Sequence, residues 1–226
     1  MVTILSWPDV PPPGMKPFRW MLDGGGRDVI AGIINRNGIK SILEIGVFLG
    51  GGAMHLLRAC PKLHVYGLDT YEEPYPAYAS IGHYYLVHRK MYQPHVELMG
   101  MNEDEFLAQM ARRGVQLEAV FTNMWTWRDR FTAVQGRSPE ALPSLAAEGY
   151  APEIVFLDAD KSGSELAVIS RLWPECILTG DDWTWSNESG INPLHSAVRR
   201  IAETRGMSLI VKDAIWVLEP HERHLV

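Results

Sequence analysis

Cysteine is almost absent from this sequence. There are two, Cys60 and Cys176, and each lies inside an apolar segment. Two isolated cysteines form neither a disulfide framework nor a thiolate metal site, and this usage is typical of proteins from a reducing compartment. We therefore expect a cytoplasmic protein.

Basic charge and long apolar runs are also scarce. The formal net charge is −6 at pH 7, whereas a protein that binds duplex nucleic acid needs a basic surface to displace the counterions of the phosphates. No stretch approaches the roughly 18–20 apolar residues of a membrane span. The first residues lack the basic start and the apolar run of a signal peptide. We expect neither nucleic acid nor a membrane as a partner.

What the sequence does contain is an alternation of apolar runs and helix-like stretches. Residues 1–26, with their PPPG and GGG segments, are predicted to form an N-terminal arm, and residues 27–226 one main domain. Continuous apolar strands between helices are typical of a parallel sheet covered on both faces. The predicted strands lie in Ile39–Val47, Leu63–Asp69, Arg130–Gly136, Glu153–Asp160 and Cys176–Trp183.

The end of the chain predicts a different strand direction. After a helix-like stretch over Pro193–Thr204, the segment Met207–Glu219 looks like two strands around a turn at Lys212-Asp213. The fold class predicted is α/β, a Rossmann-like, doubly wound, mainly parallel seven-stranded sheet with an antiparallel last strand.

One region interrupts this alternation. About sixty residues separate Asp69 from Arg130, where a simple crossover needs about a dozen. The region is rich in tyrosine and carries helix-like stretches around Phe106 and Phe121. Insertions after the carboxyl ends of strands lie over the ligand crevice of such sheets. We expect the insert, at about 71–120, to be a substrate lid, a contact in a homodimer, or both.

The first predicted strand ends in a glycine-rich turn, EIGVFLGGG, from Glu44 to Gly52. Gly46 and Gly50 let the backbone turn tightly and approach a ligand closely. Phe48 stands where the dinucleotide pattern G-x-G-x-x-G has its second glycine, and its side chain would crowd a pyrophosphate. S-adenosylmethionine carries no phosphate and does not need that glycine.

Two further strand ends indicate a cofactor that contains a nucleoside. Asp69-Thr70 ends the second strand, where a carboxylate can accept hydrogen bonds from both ribose hydroxyls. Gly136, Arg137 and Ser138 end the third, where backbone and hydroxyl groups can recognise an adenine. The alternative is that the glycines only terminate a strand and Asp69 only starts a turn.

Together these motifs resemble the class I S-adenosylmethionine-dependent methyltransferases. EIGVFLGGGA and VYGLDTYEEP resemble motifs of the macrocin O-methyltransferase-like group, although that group has Ser or Thr where this chain has Gly52-Ala53. FLDADKS and GDDW are similar to that group and to caffeoyl-CoA and catechol O-methyltransferases. The resemblance implies methyl transfer to a hydroxyl of a small molecule such as a sugar, polyketide or phenolic. The expected cofactor contacts are Glu44, Gly46, Phe48, Gly50, Asp69, Thr70, Gly136, Arg137, Ser138 and Asp158.

The chemical site is expected at the next two strand ends. Asp158 follows the fourth strand and Asp181-Asp182 the fifth, and three neighbouring carboxylates repel one another unless a cation neutralises them. Oxygen ligands favour Mg²⁺, with Mn²⁺ or Ca²⁺ as alternatives. The resemblance implies the same three ligands and makes Lys161 the general base. His195 is a second candidate for a base or a substrate contact.

Three other interpretations remain open at this point. The acids can cap turns in a methyltransferase that uses no metal. An NAD-dependent oxidoreductase can be built on the same kind of sheet. A protein that binds the cofactor without turnover is the third alternative.

Overall fold

The computed structural model describes residues 2–13, 26–72, 81–112, 114–159 and 163–220. Within these ranges eight strands form one sheet in the order β1-β4-β3-β2-β5-β6-β8-β7. The strands are β1 (Thr3–Ile4), β2 (Ser41–Ile45), β3 (His64–Asp69), β4 (Phe131–Gln135), β5 (Ile154–Leu157), β6 (Ile177–Gly180), β7 (Met207–Lys212) and β8 (Ile215–Pro220).

Strand direction confirms the predicted fold class. The central strands β4, β3, β2, β5 and β6 are parallel, and β8 runs antiparallel to both of its neighbours, β6 and β7. The predicted count of seven strands is wrong for the described residues, because β1 adds an eighth. This strand comes from the arm and pairs antiparallel with the edge strand β4. The sequence did not predict β1, because a strand of two residues is too short to show the alternation of apolar and polar residues.

Helices cover both faces of the sheet. They are α1 (Arg27–Asn37), α2 (Gly51–Ala59), α3 (Ile81–Val87), α4 (Arg89–Leu98), α5 (Glu103–Met110), α6 (Val115–Met124), α7 (Leu142–Ala147), α8 (Ser164–Leu172) and α9 (Pro193–Arg205). Successive strand residues point to opposite faces. Ile42 therefore packs with α1, α2 and α6, whereas Leu43 packs with α7, α8 and α9. This double layer fixes the strands whose ends carry the predicted motifs.

The insert has an apolar core of its own. Tyr85, Tyr92 and Phe106 are buried there with residues of α3 to α6. The helices predicted around Phe106 and Phe121 are confirmed as α5 and α6, whereas α3 and α4 were not predicted. Tyr85 and Tyr92 thus belong to the packed interior of the insert.

The arm is attached to the body by Trp7. Its indole N–H donates to the carbonyl of Phe131 at 3.3 Å. Its ring packs on the rings of Phe121, Trp125 and Phe131, with centroid distances of 4.7, 5.9 and 6.4 Å. Phe18 and Trp20, two further aromatic residues of the arm, lie outside the described residues. Among the helices that are described, none has the length and apolarity to cross a bilayer.

Replacing Trp7 by Ala is expected to lower the free energy of unfolding by about 2 kcal/mol, since a half-buried indole loses part of the packing that full burial provides. Urea denaturation measures this change. The control is Trp185→Ala, which removes an indole that is 39% exposed and is expected to cost less than about 0.5 kcal/mol. Equal losses in the two variants would show that Trp7 does not anchor the arm.

Candidate functional site

Four residues of the predicted site lie at the carboxyl ends of adjacent strands. Each donates its backbone N–H to the neighbouring strand, so the hydrogen-bond ladder continues one step past the strand. These bonds join Gly46 to Leu68 (2.9 Å), Gly136 to Asp69 (2.9 Å), Asp158 to Ile45 (2.8 Å) and Asp181 to Leu157 (3.1 Å). The sheet therefore brings the glycine turn, the ribose candidate and the acids to one edge, where open α/β sheets bind ligands.

Backbone strain is concentrated at this same edge. Phe48, Tyr71 and Asp182 have positive φ angles of 50°, 54° and 64° and follow β2, β3 and β6. Side-chain-bearing residues rarely adopt this region, and those that do cluster at functional sites. A fourth such residue, Asp213, lies in the turn between β7 and β8.

The glycines of the turn are required by contacts within the chain. Gly46 has φ +90°, and a Cβ there would collide with the backbone carbonyl of Asp158. Gly50 precedes α2 with φ +83°, and a Cβ there would lie 2.6 Å from the terminal methyl of Met124. These residues must be glycine for the fold itself, so their presence does not by itself indicate a ligand.

Asp69 lies beside the glycine turn, as its place in the sequence predicts. Its Oδ2 accepts the N–H groups of Val47 (2.8 Å) and Phe48 (2.9 Å). Its Oδ1 accepts the N–H of Tyr71 (3.0 Å) and the hydroxyl of Thr70 (3.4 Å). A carboxylate has about four acceptor positions, so a ribose hydroxyl would have to replace one of these donors. The Thr70 hydroxyl makes the longest bond and is the one most easily replaced.

Helix α6 of the insert holds the outer part of the glycine turn. Gln116 donates to the carbonyl of Phe48 at 3.2 Å, and Asn123 donates to that of Leu49 at 2.7 Å. Both amides are buried. Neither residue was predicted from the sequence. Two polar residues on the inward face of an otherwise apolar helix nevertheless indicate buried hydrogen bonds of this kind.

Arg27, the first residue of α1, lies in the acid cluster, which we define as Asp158, Asp181 and Asp182. Its guanidinium donates to Asp158 Oδ2 at 2.8 Å and lies 3.6 Å from Asp181 Oδ2. It also stands over the ring of Phe156, 5.3 Å from the centroid. The side chains of Arg27, Asp158 and Asp181 are only 15%, 24% and 22% exposed. Nothing local in the sequence pointed to Arg27, because its partners are more than a hundred residues away.

Two of the three predicted metal ligands are paired with an arginine in this arrangement. Asp158 and Asp181 both face the guanidinium of Arg27, and Asp181 Oδ1 accepts the N–H of Asp182 at 2.7 Å. Within the described part of the chain, no group of three His, Cys, Asp or Glu residues is placed to bind a metal. Asp158 and Asp181 do meet, as predicted, but around an arginine, and the prediction that Asp158, Asp181 and Asp182 hold Mg²⁺ stays a prediction. Lys161, the predicted base, lies outside the described residues.

Glu44 is buried next to this ion pair. Burial, with smaller contributions from Asp158 and Asp69, raises its pKa to about 8 against the opposing effect of Arg27. A Cβ on Gly52 would lie 2.5 Å from Glu44 Oε1 and 2.7 Å from Arg27 Nε. The glycine that distinguishes this chain from the group it resembles thus leaves room for these two side chains.

His195 packs against the segment that follows the acid cluster. Its ring centroid lies 4.0 Å from that of Trp183, and its Nε2 lies 2.6 Å from the Trp183 carbonyl. A carbonyl only accepts, so Nε2 carries the proton in this contact. Asn192 donates to the carbonyls of Asp182 and Trp183 and fixes the same segment. The role of His195 as a base stays a prediction.

The segment after β4, predicted to bind the adenine, contains one buried polar group without a hydrogen-bond partner among the described residues. Ser138 Oγ is buried and makes no hydrogen bond within the described residues. Arg137 is exposed, and Gly136 lies close enough to Ala141 that a Cβ would come within 2.8 Å of its methyl group. Recognition of an adenine by these residues stays a prediction.

Comparison with solved structures gives several similar folds. A caffeoyl-CoA O-methyltransferase structure from Staphylococcus aureus matches with a TM-score of 0.53 and 13% identity over 85% of this chain and 82% of that one. Cofactor-bound Rv0187 from MTB matches with a TM-score of 0.52 and 20% identity, over 87% and 78%. The SAH-bound Podospora anserina methyltransferase PaMTH1 matches with a TM-score of 0.50 and 14% identity, over 85% and 76%. This chain has the methyltransferase fold. No protein-family model and no curated protein matches the sequence.

Replacing Asn123 by Ala is expected to lower the free energy of unfolding by about 1–3 kcal/mol, because it leaves the buried carbonyl of Leu49 without this donor. The matched control is Asn35→Ala, in which an exposed amide loses its 3.2 Å bond to the Ala59 carbonyl. Water replaces that bond, so we expect a change below about 0.5 kcal/mol. Urea denaturation of both variants tests whether the buried hydrogen bond from Asn123 contributes more to stability than the exposed one from Asn35.

The raised pKa of Glu44 predicts a pH-dependent stability. Its carboxyl binds a proton in the folded state up to about pH 8 but titrates near 4.5 when unfolded. The stability that the protonated carboxyl contributes is complete below the unfolded pKa and is lost as the pH rises towards the folded pKa, by up to about 1.4 kcal/mol per unit. The glutamine in Glu44→Gln cannot titrate. The free energy of unfolding of this variant, relative to that of the unmodified protein, should therefore rise between pH 4.5 and about pH 8. Parallel denaturation curves at each pH would contradict the prediction.

Proposed function

We propose that this protein is an S-adenosylmethionine-dependent O-methyltransferase that acts on a hydroxyl of a small molecule. The observation that carries the proposal is the placement of the glycine turn and Asp69 side by side, at the carboxyl edge of a sheet of the methyltransferase fold. Cofactors that contain a nucleoside bind at this edge, outside the strand ends.

Two features favour this cofactor over NAD. The dinucleotide-binding sheet is mostly parallel, with strand order 3-2-1-4-5-6, whereas here the antiparallel β8 lies between β6 and β7. Phe48 takes the place of the glycine that lets a backbone approach a pyrophosphate. An NAD-dependent oxidoreductase is therefore the weaker alternative.

In this proposal the residues at the ends of β2, β3, β4 and β5 bind different parts of the cofactor. The expected contacts fall into three sets: Glu44, Gly46, Phe48, Gly50 and Asp158 for the methionine part, Asp69 and Thr70 for the ribose, and Gly136, Arg137 and Ser138 for the adenine. The buried, unpartnered Ser138 Oγ within the described residues supports the third set. The filled acceptor positions of Asp69 require the ribose to displace a donor such as Thr70.

The chain's own residues would provide alignment and a place for a proton. S-adenosylmethionine supplies a methyl group on a sulfonium that is already activated for displacement. The acceptor oxygen must lie in line with the methyl–sulfur bond, which a rigid edge of strand ends can enforce. As its bond to the methyl carbon forms, the hydroxyl gives its proton to a base, for which Lys161 is our candidate and His195 the second.

The divalent cation expected from the sequence is not part of this proposal. Asp158 and Asp181 are paired with Arg27, so no step of the reaction is assigned to a metal. Trp183 beside the acid cluster suits a planar or sugar-like acceptor. A homodimer and a cytoplasmic location remain expectations from the sequence, and the family resemblance implies a role in secondary metabolism.

Calorimetric titration with S-adenosylhomocysteine and, separately, with NAD tests the cofactor. We expect saturable binding of the first and none of the second. Asp69→Asn should weaken S-adenosylhomocysteine binding by roughly tenfold or more, since charged hydrogen bonds are worth about 1.5–3 kcal/mol. The control Asp129→Asn changes an exposed acid and should leave affinity unchanged.

Methyl transfer from labelled S-adenosylmethionine to a set of sugar, polyketide and phenolic acceptors tests the activity. Lys161→Ala should lose turnover while keeping S-adenosylhomocysteine binding, whereas Asp158→Ala should lose turnover and also weaken that binding. Unchanged turnover in both variants would reject the assigned site, and binding of NAD instead would reject the cofactor.

A further inference from the structure

The acid cluster obtains its counter-charge from the chain itself. Two carboxylates that share a site repel each other, and the repulsion grows as they leave water. Here the guanidinium of Arg27 lies within 3.6 Å of both Asp158 and Asp181. All three side chains are mostly buried, so this pairing is screened much less than a surface ion pair. The repulsion between the carboxylates was the reason to predict a metal ion, and here the guanidinium of Arg27 reduces that repulsion.

The space for Arg27 is built into the surrounding elements. The ring of Phe156 lies against its guanidinium on one side, and Asp158 holds it through a charge-assisted hydrogen bond. On the side of α2 the chain has Gly52, where any Cβ would come within 2.7 Å of Arg27 Nε. The absence of a side chain at Gly52 thus makes room for Arg27 in this position.

We propose that Arg27 takes the place of a divalent cation in this site, so that the site works without a bound metal and Arg27 keeps Asp158 and Asp181 in position. A metal ion at the same acids would have to displace the guanidinium or lie beside a like charge. Arg27 is thus a positioning residue, because it acts through the two carboxylates. The consequence for turnover rests on the proposed function, whereas the consequence for metal binding does not.

The first test uses the unmodified protein and Mn²⁺, followed by electron paramagnetic resonance in the presence of S-adenosylhomocysteine. We expect the signal of free Mn²⁺ to be unchanged by an equimolar amount of protein. Stoichiometric binding of Mn²⁺ that Asp158→Asn abolishes would overturn the proposal. This measurement needs no variant of Arg27 and therefore decides the question even if such a variant fails to fold.

The second test removes the counter-charge. Arg27→Met keeps a long apolar side chain and leaves the acids without their arginine, so it should bind Mn²⁺ on the order of tenfold more tightly than the unmodified protein. Arg27→Lys retains the charge and should show no such gain. Arg36→Met is the matched control, since Arg36 lies on the same helix and pairs with Glu219 outside the site. Equal Mn²⁺ binding in Arg27→Met and Arg36→Met would overturn the proposal.

Turnover separates this inference from the proposed function. With an acceptor in hand, methyl transfer should be insensitive to EDTA, and Arg27→Met should lower kcat, with a loss of S-adenosylhomocysteine affinity no larger than that of Asp158→Ala. Loss of activity in EDTA that added Mg²⁺ restores would overturn the inference and leave the methyltransferase proposal intact. Absence of S-adenosylhomocysteine binding, with Mn²⁺ still excluded by Arg27, would reject the proposed function alone.

Discussion

The backbone hydrogen bonds that continue past the strand ends are the constraint on which the site depends. In each case the N–H of the first residue after a strand donates to the adjacent strand, as Gly46 does to Leu68 and Asp158 to Ile45. A parallel ladder has a fixed register, so these bonds set the height of every strand end along one edge. The register of the sheet therefore brings together side chains that are far apart in sequence. The strained residues Phe48 and Asp182 follow directly, where the chain must leave the plane of the sheet.

Four carboxylates near this edge are accommodated in three different ways. Glu44 is buried deeply enough that its pKa rises to about 8 and the neutral acid prevails near pH 7. The two carboxyl oxygens of Asp69 accept hydrogen bonds from three backbone N–H groups and a hydroxyl. Asp158 and Asp181 share Arg27. Glu44, Asp69 and the Asp158–Asp181 pair are thus accommodated by burial, by hydrogen bonds and by a shared positive charge, respectively.

Much of the fold and part of the site could be predicted from the sequence. Strand and helix periods are local, and so they revealed the parallel sheet, the glycine turn and the positions of Asp69 and Asp158. The sequence also showed that acids gather at neighbouring strand ends, but not what neutralises them, because Arg27 belongs to a helix at the other end of the chain. Gly52 was a partial indication, in the sequence, that other side chains occupy this space. It departs from the resembled pattern, and only the structure shows that Arg27 and Glu44 fill the space that a side chain would take.

The insert cannot behave as a detachable lid along its whole length. Leu49 of the glycine turn is part of the insert's apolar core, and Gln116 and Asn123 hold the carbonyls of the same turn. Lifting α6 would break two buried hydrogen bonds, at about 1–3 kcal/mol for each group left unpaired. It would also separate α6 from the main core, in which Phe121 is buried. Helix α6 is therefore a fixed wall beside the glycine turn.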